Sequence, residues 1–208
     1  MIYPIIDDNF VERDQVLEVA FNFIKSGIKV FQYRAKNTSL EDILSLSYDL
    51  TKLSQKHKVR FIVNDYLEIA LKVKADGVHL GQDDVDPKKA REILGLDKII
   101  GISTHTLKQA QEAKINGADY ISFGPIFKTS TKKDAFKVRG VELLRRVILR
   151  VDLPIVAIGG INRENMKEVL GTEVSGIAFI AEIYKSPELL NNLLSLRDIA
   201  YNTRKRKD

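Results

Sequence analysis

The chain reads as a closed (β/α)₈ barrel of the TIM type, and three observations predict it. Strand-like and helix-like segments alternate strictly through eight pairs, too many for the usual open doubly wound sheet. The strand-like segments are near-continuous apolar runs, as expected of parallel strands covered on both faces. No GxGxxG follows the first strand, which counts against a dinucleotide-binding sheet.

Residues 2–6 are apolar and β-branched and are closed by Asp7, Asp8 and Asn9. Residues 14–26 follow as a helix with Val16, Val19, Ala20, Phe23 and Ile24 on one side and Gly27 as its stop. Strand 28–34 leads to a long amphipathic helix, 39–57, opened by the capping sequence TSLED at 38–42. Strand 59–64 precedes a short helix at 66–74, and strand 76–80 precedes helix 87–94 with Pro87 in its first turn. Strand 98–102 precedes helix 106–116, ended by Gly117, with Thr104 or Thr106 as its cap. Strand 118–123 feeds a long loop that runs to Gly140, followed by helix 141–151. Strand 154–158, helix 163–170, strand 174–180 and helix 187–201 complete the alternation.

A chain of 208 residues with 44% hydrophobic and 29% charged residues suits one soluble domain, 1–208, without linker-like composition. No apolar run approaches bilayer-spanning length, and residues 1–10 lack the basic and apolar regions of a secretory signal. The absence of cysteine excludes disulfides, a thiolate nucleophile and zinc–thiolate sites, and is consistent with the cytoplasm. Part of the net charge of +5 sits in a short basic C-terminal tail, 203–208, expected to be solvated. Without aromatic interleaving or a known module, that tail does not indicate nucleic-acid binding. No membrane partner is indicated, and the chain is compatible with a homo-oligomer.

In a barrel of this type the reacting groups lie at the C-terminal ends of the strands. The second strand ends in QYRAK at 32–36, and the two-residue period puts Gln32, Arg34 and Lys36 on one side. A glutamine and two cations climbing one face suit a ligand edge, with Arg and Lys ready for a pyrophosphate. The third strand ends in Asn64 and Asp65, and the fourth is followed by Asp83 and Asp84. Acids at neighbouring mouths can share one Mg²⁺, which favours one or two carboxylates plus substrate phosphates. Asp83 and Asp84 also suit ordinary helix-start acids. At the fifth strand end, Ser103 or His105 faces the ligand.

The loop FGPIFKTSTKKDAFKVRG at 123–140 carries Thr129, Thr131 and Lys132, which suit an anionic, phosphorylated ligand; a basic surface loop is the alternative. Gly159 and Gly160 after the seventh strand let backbone N–H groups approach an anion. Ile180 and Ala181 after the eighth add backbone groups only, because Ala181 has no hydroxyl. His57 and His79 form no HxH or HExxH pattern, so no transition-metal site is expected. Together these residues make two anion sites: a pyrophosphate-plus-metal site and a separate monophosphate site. That pair fits the joining of two phosphorylated fragments.

The motifs YPIID (3–7), QYRAK (32–36), IVNDY (62–66), DGVHLGQDD (76–84), GISTHT (101–106), GADYISFGPIF (117–127), TSTK (129–132) and AIGGIN (157–162) occur in order on successive strands. In this the chain resembles the thiamine phosphate synthases over nearly its whole length. The resemblance implies condensation of 4-amino-5-hydroxymethyl-2-methylpyrimidine diphosphate with a thiazole phosphate, giving thiamine phosphate and pyrophosphate through a pyrimidine methylene cation. It implies Mg²⁺ on Asp65 and Asp84, with Asn64 beside them. Arg34, Lys36 and Lys132 would surround the diphosphate, and Gln32 and Ser103 would orient the aminopyrimidine. Thr129 and Thr131 would hold the thiazole, and Gly160, Ile180 and Ala181 its phosphate. Ala35 and Ala181 stand where that family commonly has Glu and Ser, and Glu182 where a small residue is usual. The related TenI-like thiazole tautomerases are the nearest alternative; Pro125 and Asp84 favour the synthase. A barrel that binds thiamine precursors without turnover is the third reading.

Overall fold

A computed structural model describes residues 1–129 and 137–205. Eight parallel strands close on themselves in chain order, with β8 hydrogen-bonded back to β1. The strands are β1 (Ile2–Asp7), β2 (Val30–Arg34), β3 (Arg60–Asn64), β4 (Gly77–Leu80), β5 (Ile99–Thr104), β6 (Tyr120–Phe123), β7 (Ile155–Ala157) and β8 (Gly176–Phe179). The helices between and after them are α1 (Val16–Lys25), α2 (Leu40–His57), α3 (Leu67–Lys72), α4 (Pro87–Leu94), α5 (Leu107–Ile115), α6 (Gly140–Ile148), α7 (Met166–Leu170) and α8 (Leu189–Lys205). No described helix is long and apolar enough to cross a membrane.

The near-continuous apolar runs have the expected cause. One parity of each strand packs outward against the helices, where Phe23, Phe31, Phe61, Phe123 and Phe179 are almost fully buried. The other parity points inside the barrel, where Tyr3, Ile5, Val30, Ile62, Tyr120, Val156 and Ala178 form a smaller cluster. This inner layer fills the barrel as side chains rather than leaving a pore. Polar residues stand on it toward the C-terminal strand ends.

Caps explain several boundaries. The Ser39 side chain accepts from the Asp42 N–H at 3.2 Å to open α2. Asp86 does the same for Lys88 and Lys89 ahead of Pro87. Of the two threonines expected as caps, Thr106 caps α5 by accepting from the Gln109 N–H, whereas the Thr104 hydroxyl is buried and donates to the Ser122 carbonyl. Strand β5 runs two residues past its expected end because Ser103 and Thr104 pair with Ser122 and Phe123 of β6. Helix α7 starts later than its apolar pattern suggests, because the Asn162 side chain accepts from the Glu164 and Asn165 N–H groups and holds a turn there. Helix α8 continues through Thr203–Lys205, which the charge pattern assigns to a tail, and Arg204 donates to the carbonyls of Val174 and Ser175.

Candidate active site at the C-terminal strand ends

A cavity of about 330 Å³ opens at the C-terminal end of the barrel. Gln32, Arg34, Asn64, Ser103, Thr129, Gly160, Ile180 and Ala181, drawn from five strand ends and the β6 loop, all line it. Both candidates at the β5 end, Ser103 and His105, line it as well; His105 donates through Nδ1 to the Gly124 carbonyl at 2.6 Å. Thr131 and Lys132, expected from the sequence to join this site, lie outside the described residues.

Arg34 is aimed by a partner that sequence reasoning missed. Its Nη1 lies 2.6 Å from Oδ2 of Asp7, which is fully buried. The two residues stand opposite each other in the β1–β2 register. Asp7 is further held by the backbone N–H and side-chain amide of Asn9. The signal was present in the sequence, since Asp7 has the inward parity of Tyr3 and Ile5.

Lys36, Asp65 and Asp84 meet beside the cavity at the β2, β3 and β4 mouths. Lys36 and Asp65 form an ion pair, and Asp65 lies within hydrogen-bonding reach of Asp84. Asp84 also accepts from the Gly81 N–H at 2.6 Å. Burial pushes the Asp84 carboxyl above the ordinary aspartate value. The hydrogen bond and charge of Asp65 add to that shift, while the Gly81 N–H and Lys36 oppose it. Burial pulls the Lys36 ammonium down, but its hydrogen bond to Asp65 and the charges of both acids outweigh this and hold it above the ordinary lysine value. Asp65 takes a positive φ of 64°, a conformation costly for a residue with a side chain and common at functional sites. Among the described residues no three His, Asp or Glu cluster as a metal cage. Two crowded carboxylates are instead the hard-oxygen donor set that Mg²⁺ takes together with phosphate oxygens.

Gly159 and Gly160 are required by packing as well as by conformation. Both have positive φ, and a Cβ on Gly160 would lie 2.5 Å from the Lys128 carbonyl oxygen. The β6 loop docks here, with the Ile126 and Phe127 N–H groups donating to the carbonyls of Ile158 and Gly159 at 2.9 Å. On the neighbouring strand, a 3₁₀ turn at Ala181–Tyr184 begins just after β8. The Glu182 carboxylate in that turn is already engaged. It accepts from the Arg163 N–H at 3.2 Å and pairs with Lys185 at 2.7 Å.

The cavity floor carries a second set of residues that sequence reasoning passed over: Tyr3, His79, Tyr120 and Ser122. In the sequence His79 stands out only as a possible metal ligand, and the others only as strand residues. Their inward parity was the available signal.

Comparison with known proteins places the chain in one family. Residues 2–183 match the model of the family described as thiamine monophosphate synthase. The thiamine-phosphate synthase of Lawsonia intracellularis is 41% identical over 196 residues, spanning 94% of this chain and 90% of that protein. That of Clostridium novyi is 40% identical over 198 residues, spanning 95% and 97%. The solved thiamine phosphate pyrophosphorylase from Pyrococcus furiosus superposes with a TM-score of 0.88 at 36% identity, covering 97% of this chain and 96% of its own. The chain belongs to the thiamine monophosphate synthase family of transferases.

Proposed function

We propose that this enzyme joins 4-amino-5-hydroxymethyl-2-methylpyrimidine diphosphate to a thiazole phosphate, releasing pyrophosphate and thiamine phosphate. The observation that carries the reading is the convergence of Arg34, Lys36, Asp65 and Asp84 beside one cavity lined by Gln32, Ser103, Thr129 and Gly160. Cations and a carboxylate pair suit a diphosphate; the amide and hydroxyl groups suit a heteroaromatic ring.

In this reading the bond from the pyrimidine methylene to the diphosphate oxygen breaks first, and its electron pair leaves with the pyrophosphate. The thiazole nitrogen lone pair then forms the new C–N bond, so no external base is required. Arg34, kept in place by Asp7, and Lys36 meet the charge that develops on the leaving group. Positioned charge of this kind is commonly the largest contribution to rate. Lys132 is assigned the same role and Thr131 a thiazole contact, both on the sequence resemblance. Asp65 and Asp84 would hold Mg²⁺, which supplies electrostatic stabilisation of the departing diphosphate. Asn64 stands beside that carboxylate pair at the diphosphate end, Gln32 and Ser103 orient the pyrimidine, and Thr129, Gly160, Ile180 and Ala181 receive the thiazole phosphate. The substrates are small and water-soluble, which suits the cytoplasmic location expected from the sequence.

The test is incubation of the purified protein with both phosphorylated substrates and Mg²⁺. Stoichiometric pyrophosphate and thiamine phosphate are expected. Isomerised thiazole without pyrophosphate would assign the chain to tautomerase chemistry instead. Binding of both substrates with no product would leave a binding barrel.

A further inference from the structure

Five side chains form a continuous hydrogen-bonded line across the barrel interior. Gln32 Nε2 lies 3.5 Å from Tyr3 Oη, which lies 2.7 Å from Tyr120 Oη. Tyr120 Oη lies 2.9 Å from His79 Nδ1, and His79 Nε2 lies 2.9 Å from Ser103 Oγ. The line touches five strands: Gln32 on β2, Tyr3 on β1, Tyr120 on β6, His79 on β4 and Ser103 on β5. Space for it is built into the backbone. Gly101 pairs with Tyr120 in the β5–β6 register, and a Cβ there would sit 2.1 Å from Tyr120 Cζ.

Each interior member of this line can pass on one proton. A phenol that accepts from one neighbour donates to the next, and a neutral imidazole has one donor and one acceptor nitrogen. The direction at one end therefore sets the direction at the other. Starting from the Gln32 amide nitrogen as donor, Tyr3 donates to Tyr120 and Tyr120 donates to His79 Nδ1. His79 then carries its proton on Nε2 and donates to Ser103 Oγ, which also accepts from Ser122 Oγ at 3.4 Å. Gln32 keeps its carbonyl oxygen and a second amide hydrogen, whereas Ser103, accepting from both His79 and Ser122, is left with its hydroxyl hydrogen as a donor. Both residues line the cavity.

We propose that the Gln32–Tyr3–Tyr120–His79 line is a polarity relay that makes Ser103 an obligate donor, and so selects a 4-aminopyrimidine, whose ring nitrogen accepts, over its 4-oxo counterpart, whose ring N–H donates. An aminopyrimidine edge offers an amino donor beside a ring-nitrogen acceptor; the oxo tautomer reverses both. Tyr3, Tyr120 and His79 are positioning residues, acting through Ser103. Burial holds both phenols well above the ordinary tyrosine value, so they stay protonated and keep a hydrogen to pass on. A buried donor or acceptor facing its own kind is strongly disfavoured, which makes reversed polarity an effective filter. The choice of pyrimidine rests on the function proposed above; the direction of the relay does not.

Two measurements separate the claims. In the wild-type protein, ¹⁵N-detected NMR of the imidazoles, assigned to His79 by His79→Asn, is expected to show a neutral ring protonated on Nε2. Tyr120→Phe should mix the two tautomers. A ring protonated on Nδ1 in the wild type would overturn the relay whatever the protein catalyses. In turnover, the ratio of kcat/KM for the 4-amino to the 4-oxo pyrimidine diphosphate should fall at least tenfold in both Tyr120→Phe and Tyr3→Phe, with KM for the thiazole phosphate unchanged. An unchanged ratio in folded variants would overturn the selectivity claim. An Nε2-protonated His79 with no synthase turnover would uphold the relay and reject the proposed substrate.

Discussion

Asp7 and Arg34 face each other across the β1–β2 pairing and are joined at 2.6 Å, with Asp7 fully enclosed. A buried charge pair is worth little relative to apolar replacements, but removing one partner leaves the other uncompensated. Asp7→Asn should therefore lower unfolding stability by about 3 kcal/mol. It should also raise KM for the pyrimidine diphosphate, because Arg34 loses the anchor that aims it. Chemical denaturation and steady-state kinetics check both; a stability change below about 1 kcal/mol would mean that Arg34 finds another partner.

Asp84 is held against Asp65 in a half-buried setting that raises its pKa. Asp84→Asn relieves that crowding while removing one hard ligand. The thermal midpoint should stay level or rise, and the Mg²⁺ concentration for half-maximal rate should increase at least tenfold. The maximal rate should fall by about a hundredfold, as for loss of one well-placed charge-stabilising group. A titration of rate against Mg²⁺ measures all but the midpoint. An unaltered titration would remove Asp84 from the metal site.

Gly160→Ala adds a Cβ where the backbone has φ of +65° and the Lys128 carbonyl is 2.5 Å away. The substitution should cost at least about 1 kcal/mol in stability from backbone strain alone. It should also displace the β6 loop that carries Thr129, so KM for the thiazole phosphate should rise more than KM for the pyrimidine diphosphate. Equal rises would argue that the loop and the pyrimidine end move together.

Ser39→Ala removes the side-chain acceptor that opens α2, on the outside of the barrel. Loss of such a cap costs about 1 kcal/mol. Thermal unfolding should register that loss while kcat and both KM values stay within twofold. A large kinetic effect would mean that α2 is coupled to the β2 mouth more tightly than the contacts suggest.

Much of the fold was legible because every strand is buried on both faces and so reads as an apolar run. The paired acids and the Gln32–Arg34–Lys36 side of β2 were legible for the opposite reason: they are polar where such a run would otherwise continue. Tyr3, Tyr120 and Ser122 were not singled out, since aromatic and small hydroxyl residues are unremarkable in strands. Their inward direction has meaning only once β1, β4, β5 and β6 surround a common interior. Asp7 looks like no more than the end of a strand in the sequence, because its partner lies 27 residues away and becomes adjacent only through the β1–β2 register. The glycine pair at 159–160 suggests a backbone approach to an anion in the sequence; the packing of Pro125, Phe127 and Lys128 against it depends on a loop contact that no local pattern encodes.

The most direct test is anomalous diffraction from crystals soaked with Mn²⁺ and pyrophosphate. The account predicts a metal peak in contact with Asp65 and Asp84, with the pyrophosphate lying against Arg34 and Lys36. A fully occupied metal–pyrophosphate complex bound elsewhere on the barrel, with these four side chains untouched, would contradict it.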